Sequence, residues 1–129
     1  MTLRAQPAVV AVSGTVEAAG VGLRSHHSWR TLLESRWGER LIAVITLSMD
    51  YHDAADRPAG GGASRHGDAR QVRRLMRKAV AARRALADTE DALTRLSEGS
   101  FGRCEQCAGP IAMDRLKREP ETRYCPRCA

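Results

Sequence analysis

Residues 100–129 read SFGRCEQCAGPIAMDRLKREPETRYCPRCA and hold all four cysteines of the chain. The cysteines form two C-x2-C pairs, Cys104/Cys107 and Cys125/Cys128, with 17 residues between the pairs. Each pair can turn two thiolates toward one point, and two pairs supply the four soft ligands of a tetrahedral zinc ion. The stretch therefore predicts one structural Zn²⁺ bound by these four thiolates.

Two other uses of the cysteines are less compatible with the chain. A disulfide framework requires an oxidising compartment, and the N-terminus lacks the basic-then-apolar pattern of a secretory signal. A redox C-x-x-C motif normally occurs once, in a βαβ setting that this sequence does not resemble. Redox or disulfide use remains the alternative to zinc. Because four ligands close the coordination sphere, we expect the metal to act as a scaffold and not in catalysis.

Composition limits the possible classes of protein. The chain has 129 residues, a net charge of +6 and only 4% aromatic residues. This length allows one small domain with tails, and the composition suits long helices better than a β-sandwich. No apolar run reaches the roughly 18 residues that span a bilayer, so we expect a cytoplasmic protein without membrane contact. The positive charge fits a nucleic acid or an acidic protein surface equally well.

The N-terminal half predicts a tail, a helix and a loop. Residues 1–24 are small and apolar without a period, which predicts a disordered tail. Residues 25–49 predict a helix, since apolar residues recur at three- and four-residue steps. These residues are Trp29, Leu33, Trp37, Leu41 and Val44 or Ile45. Residues 50–67 contain three aspartates, Pro58 and a run of glycines, and predict a loop.

A second helix is predicted over residues 68–98. Asp68 and Gln71 resemble a capping box, and Gly99 is a typical residue just past a helix end. The apolar period is regular over about four heptads, which predicts a coiled coil. Its seam consists of Val72, Leu75, Ala79, Ala82, Leu86, Thr89, Leu93 and Leu96. The nearest partner is the first helix, folded back antiparallel, and pairing between helices of separate chains is the alternative.

The predicted fold is therefore mainly α. An antiparallel helical hairpin (a coiled coil) covers residues 25–98, with a tip loop at about residues 50–67. A small C4 zinc finger follows over residues 99–129. The first half of the second helix is basic and contains no acid after Asp68, which opposes the helix dipole. This pattern is typical of a solvated face and also fits an acidic partner.

Read together, the hairpin and the finger resemble the DksA/TraR family of RNA polymerase-binding proteins, and the chain looks like a divergent member. The resemblance is densest over residues 92–128, which hold Gly99, Phe101-Gly102, the first C-x-x-C, Arg115-Leu116, Pro120 and the second C-x-x-C. Phe101-Gly102 and Arg115-Leu116 are more specific than the cysteines, because many zinc ribbons share the C4 spacing. The resemblance is weaker over residues 50–96 and does not cover residues 1–24.

The resemblance implies a function for the hairpin. In that family the coiled coil enters the secondary channel of RNA polymerase, and acidic residues at its tip act near the active centre. Asp53 and Asp56 look like the family's D-x-x-D tip, and Asp50 adds a third carboxylate. The resemblance implies a transcription regulator, a monomer with RNA polymerase as its partner and no sequence-specific DNA contact. Aspartates in a loop rich in Gly and Pro are otherwise ordinary turn formers.

Three positions depart from the family pattern. Pro58 follows the tip where the family commonly has Ala. Ala108 stands where a Gly usually follows the first C-x-x-C, and its Cβ opposes the conformation that Gly takes there. Glu119 replaces the basic residue that precedes Pro120 in members that bind ppGpp, which argues against that ligand.

Two further functional classes fit the sequence less well. A zinc-ribbon module that binds nucleic acid or protein would use the basic residues of the finger, which are interleaved with acids. These basic residues are Arg103, Arg115, Lys117, Arg118, Arg123 and Arg127. An enzyme is not expected, because the sequence contains no nucleophile–base constellation and no phosphate-binding loop.

Overall fold

The computed structural model describes residues 23–58 and 64–129, and it contains three helices in these ranges. They are α1 (Leu23–Asp56), α2 (Ser64–Glu98) and α3 (Met113–Arg118). The two long helices pack as a hairpin, and the described residues contain no strand beyond one isolated β-bridge between Arg103 and Pro110. The mainly helical class is confirmed. The predicted tail lies outside the described residues, apart from its last two positions, which begin α1.

The chain divides into two compact units, and both long helices contribute to each. The zinc-finger unit comprises the described residues up to Glu34 together with Asp91–Ala129. The hairpin unit comprises Ser35–Glu90. No helix in the described ranges has the length and apolar character that a membrane span requires.

Helix α1 is longer than the sequence indicated. The loop predicted from Asp50 onward is wrong for residues 50–56, because α1 continues to Asp56. Extending a formed helix requires no new nucleus, and no Gly or Pro occurs between Gly38 and Pro58. Pro58 disfavours helical backbone at Arg57, which accounts for the end of the helix.

Helix α2 begins earlier than predicted and ends where predicted. It starts at Ser64, so Asp68 lies inside the helix and the predicted capping box is wrong. An internal Gly67 costs roughly 1 kcal/mol, which a helix of this length absorbs. At the other end Gly99 has φ 84°, and the Ser100 N–H donates to the Arg95 carbonyl at 3.0 Å. This pattern is a Schellman motif, which satisfies carbonyls that the helix end leaves free.

The coiled-coil seam of α2 is confirmed, since each of its eight predicted residues is buried or half-buried. The stripe on α1 is only partly confirmed: Trp29 and Leu33 are buried, but Trp37 and Ile45 are 36% and 50% exposed. Residues four positions apart differ by about 40° around a helix axis. A stripe made of successive four-residue steps therefore turns gradually away from the buried face.

Arg40 lies on the face of α1 that packs against α2, where the predicted stripe has no residue. Its guanidinium donates to the Thr89 hydroxyl at 2.6 Å and to the Ala85 carbonyl at 2.7 Å. The Thr89 hydroxyl in turn donates to Ala85 O at 3.0 Å. Thr89 is fully buried, and these bonds satisfy its hydroxyl inside the helix pair.

Candidate metal centre and acidic helix end

Two tight turns place the four cysteines. In the first turn, the Ala108 N–H donates to the Cys104 carbonyl at 2.9 Å, and the Cys104 N–H donates to the Gly109 carbonyl at 2.8 Å. In the second turn, the N–H groups of Cys128 and Ala129 both donate to the Cys125 carbonyl at 3.0 Å. As a result, the sulfur atoms of all four cysteines lie within 4.8 Å of one another.

The sulfur geometry fits zinc. A tetrahedral ion with Zn–S distances of about 2.3 Å places its sulfurs roughly 3.8 Å apart. The sulfurs of Cys107 and Cys125 are 3.8 Å apart, and all four cysteines are free. A disulfide requires about 2.05 Å between sulfurs. The four thiols are therefore arranged as ligands of one closed metal site and not as two crosslinks.

Hydrogen bonds and burial set the protonation of these thiols. The pKa of Cys104 is lowered to about 6, chiefly because the Cys107 backbone N–H donates to its sulfur. Burial acts most strongly on the pKa of Cys125 and raises it, but hydrogen bonds from Cys128 and the Arg127 backbone outweigh burial and lower it. The hydrogen bond to Cys125 and burial raise the pKa of Cys128 to about 12. Metal binding must therefore displace the Cys128 proton.

A compact apolar core surrounds the buried cysteines of the zinc-finger unit. Its members are Trp29, Leu33, Ala92, Leu96, Phe101, Cys104, Ile111, Leu116 and Cys125. The rings of Trp29 and Phe101 are 5.1 Å apart at an interplanar angle of 52°. Phe101 and Leu116, which carried the specificity of the sequence resemblance, are therefore core residues that hold the finger against α1 and α2.

A polar network adds to this core. Arg95 is buried, and its guanidinium donates to the Glu121 carbonyl at 3.2 Å and lies 3.5 Å from the Glu105 carboxylate. Arg123 forms an ion pair with Asp91 of α2. Sequence reasoning missed Arg95, whose only signal is its place beside the seam residue Leu96.

The departure at Ala108 has a structural consequence. Ala108 has φ 60°, the left-handed conformation that disfavours residues with a Cβ, so the predicted strain is confirmed. Gly109 serves a different purpose, because a Cβ there would lie 3.3 Å from the Cys107 sulfur. The turn therefore needs conformational freedom at 108 and space at 109.

The structure places the three candidate tip aspartates on the last turns of α1. Asp50, Asp53 and Asp56 are exposed and recur every third residue, so they spread over an arc of about 120° on the helix. Within the described residues, none of the three pairs with a basic group. The alternative interpretation of these aspartates as turn formers is wrong, because all three lie within α1. Carboxylates near a helix C-terminus are disfavoured by the dipole, so the fold gains little from them.

Comparison with known proteins gives a weak sequence likeness and a strong structural one. No family model matches the chain. A protein described as uncharacterised, from Aquifex aeolicus, is 41% identical over 44 residues, which is 34% of this chain and only 30% of that relative's length. The structure of transcription factor DksA2 from Pseudomonas aeruginosa superimposes with a TM-score of 0.74 at 23% identity, covering 82% of this chain and 81% of that one.

This chain has the DksA2 fold. Together with the four-cysteine cluster, the fold fits a zinc-finger protein of the DksA/TraR type, as the sequence resemblance predicted.

Proposed function

We propose that this protein is a transcription regulator that binds RNA polymerase and inserts the acidic end of its hairpin into the secondary channel to modulate initiation. The observation that supports this most is the fold shared with a transcription factor, DksA2, over 82% of the chain. The proposed regulator is cytoplasmic, is not an enzyme, and binds polymerase as a monomer without sequence-specific DNA contact or ppGpp.

The hairpin is suited to carry charge into a narrow space. Helix α1 has 34 residues, a length of about 51 Å at 1.5 Å per residue. Asp53 and Asp56 lie at its end and have no ion-pair partner among the described residues, so we expect their carboxylates to be available to another molecule. Carboxylates bind Mg²⁺ and basic side chains, and both occur where polymerases transfer nucleotides.

The zinc-finger unit has a supporting role in this proposal. When bound, the zinc ion would supply folding free energy to a unit with a small apolar core. Cys104, Cys107, Cys125 and Cys128 would hold it, and the closed thiolate set leaves no position for substrate.

The test uses the full-length, zinc-loaded protein and purified RNA polymerase. We expect salt-sensitive co-purification and a changed lifetime of promoter complexes. Asp53→Asn with Asp56→Asn should keep binding but abolish the effect on lifetime. The matched control, Glu98→Gln with Asp114→Asn, removes two exposed carboxylates away from the tip and should change neither. A bound tip variant that still changes the lifetime as much as the wild-type protein does would refute the tip mechanism, and a wild-type protein that fails to bind polymerase would refute the partner.

The nucleic-acid alternative is less favoured by the structure. Arg123, one of the six basic residues of the finger, pairs with Asp91 instead of facing a ligand. A gel-shift titration with duplex DNA separates the two functions. We expect no tight binding at physiological salt, because the basic residues of the finger are interleaved with acidic ones and Arg123 is already paired.

A further inference from the structure

Helix α1 carries a second apolar stripe on its solvent-facing side. Ile42, Ile45 and Met49 are 65%, 50% and 61% exposed, and their spacing of three and four residues places them on one face. This face differs from the one that packs on α2, where Val44 and Leu47 are half-buried. Clustered large aliphatic side chains in water typically mark a protein interface.

Helix α2 has an apolar surface of its own in the same unit. Met76 and Val80 are 49% and 46% exposed, one turn apart. They form a ridge between two grooves. The groove shared with α1 measures about 290 Å³ and includes Tyr51 and His52. The groove on α2 alone measures about 500 Å³ and includes Arg77 and Arg84.

The charges around these two surfaces have opposite signs. From residue 41 to residue 56 of α1, every formally charged residue is acidic, and these are Asp50, Asp53 and Asp56. From residue 69 to residue 87 of α2, every charged residue is basic, and these are Arg70, Arg73, Arg74, Arg77, Lys78, Arg83 and Arg84. Each apolar surface is therefore flanked mainly by the charge that would attract the other, with Asp88, which lines the groove on α2 alone, as an acidic exception.

Within one hairpin the two surfaces cannot meet, because the stripe lies on the side of α1 that faces away from α2. Between two molecules they can. If α1 of one copy contacts α2 of a second copy, a two-fold axis repeats the contact in reverse and the assembly closes as a dimer.

We propose that the Ile42–Ile45–Met49 stripe of one molecule docks on the Met76–Val80 ridge of a second copy of this chain, forming a two-fold dimer of hairpin units. The aliphatic side chains bury each other, and the carboxylates of Asp50 and Asp53 lie against the guanidinium groups of Arg77 and Arg84. The dimer covers the acidic end of α1. Self-association and use of that end by any other partner are therefore mutually exclusive.

The test begins with sedimentation of the full-length, zinc-loaded protein over a range of protein and salt concentrations. We expect a monomer–dimer equilibrium whose dissociation constant rises about tenfold or more between 0.1 and 0.5 M salt, because exposed charge pairs are screened. Ile45→Glu and Val80→Glu should each abolish the dimer. Both positions are about half exposed, so helix content and zinc stoichiometry should stay unchanged.

A mixing experiment tests the reciprocity of the contact. Variant A carries Asp50→Arg and Asp53→Arg, so its two surfaces are both basic. Variant B carries Arg77→Glu and Arg84→Glu, so both of its contact sites carry carboxylates, at positions 50 and 53 of α1 and at positions 77 and 84 of α2. Each should be monomeric alone, and an equimolar mixture should form a 1:1 heterodimer in which both contacts are again complementary.

Three outcomes would overturn the proposal. The first is a wild-type protein that stays monomeric at about 100 μM, well above the Kd of an ordinary specific dimer. The second is a wild-type dimer combined with a mixture of A and B that stays monomeric. The third is an Ile45→Glu variant that still dimerises, which would place the stripe outside the dimer contact. Because the assay contains no polymerase, its result is independent of the proposed function.

Discussion

The two units of this protein are stabilised in different ways. In the zinc-finger unit, apolar side chains such as Leu96 and Phe101 are almost fully buried, and a buried Arg95 is hydrogen-bonded. In the hairpin unit Thr89 is the one buried side chain among the described residues, while Ile42 and Met49 are more than half exposed. The difference shows that the apolar core of the described residues lies in the zinc-finger unit, whereas much of the apolar surface of the hairpin unit is exposed.

The largest effect confined to the zinc-finger unit should come from removing the metal. Cys125→Ser should prevent zinc binding and unfold the zinc-finger unit, since structural zinc contributes on the order of 10 kcal/mol. Hydrogen exchange should show loss of protection over residues 99–129, and metal analysis should show less than one zinc per chain. Tyr124→Phe, a change at the exposed neighbouring residue, is the control and should keep both. A folded, protected finger without zinc would contradict the metal's role.

Large-to-small substitutions should destabilise the zinc-finger unit much more than the hairpin unit. Phe101→Ala should destabilise the protein by about 3–5 kcal/mol, because it removes a buried ring that contacts Trp29. Ile42→Ala, at a position 65% exposed, should change stability by about 0.5 kcal/mol or less. Urea unfolding of the zinc-loaded proteins, at concentrations low enough to keep them monomeric, measures both. Equal losses would mean that the hairpin has a core of its own.

Zinc affinity should rise with pH, and the pKa values of the thiols set how steeply. In the folded, metal-free cluster the pKa of Cys128 is about 12, so zinc must displace its proton at neutral pH. The pKa of Cys104 is about 6, so above pH 6 it already offers a thiolate, and below pH 6 its proton must be displaced too.

Each additional proton makes affinity fall about another tenfold per pH unit, or about 1.4 kcal/mol. Competition with a chelator between pH 5 and pH 8, with the pH-dependence of the chelator taken into account, should show a slope that increases below about pH 6. A slope that does not change across this range would show that Cys104 has no lowered pKa. The hairpin unit contains no cysteine, so its helicity should not follow this profile.

The smallest expected effect is a gain in stability. Ala108→Gly relieves a left-handed backbone conformation and should stabilise the zinc-finger unit by roughly 1 kcal/mol. Ala87→Gly is the control, because Ala87 is exposed inside the regular helix α2 and the same substitution there should destabilise the protein by about 1 kcal/mol. Thermal unfolding of both variants measures the difference. Two losses of equal size would show that Ala108 is not strained.

Local chemistry explains which features the sequence could predict. The cysteine spacing, the heptad seam of α2, the cap at Gly99 and the strain at Ala108 each depend on a few neighbouring residues. The end of α1 was missed because three aspartates and a nearby Gly/Pro run suggested a loop, whereas continuing a helix costs little. The burial of Arg40 and Arg95 depends on acceptors 10 to 49 residues away in sequence, which no local pattern indicates.

The turn at Ala108 and Gly109 also constrains the order in which its sequence could change. Suppose that a chain with Gly at 108 and a larger residue at 109 changes to the present Ala108-Gly109 pair by single substitutions. It must acquire Gly109 first, because the resulting Gly-Gly turn has both the conformational freedom and the space that the turn needs. The other intermediate, Ala-Ala, combines a left-handed Cβ with one 3.3 Å from the Cys107 sulfur, which zinc would hold in place. The present pair is thus one substitution away from a Gly-Gly turn that we expect to be more stable, and exchanging the two residues would not produce that turn.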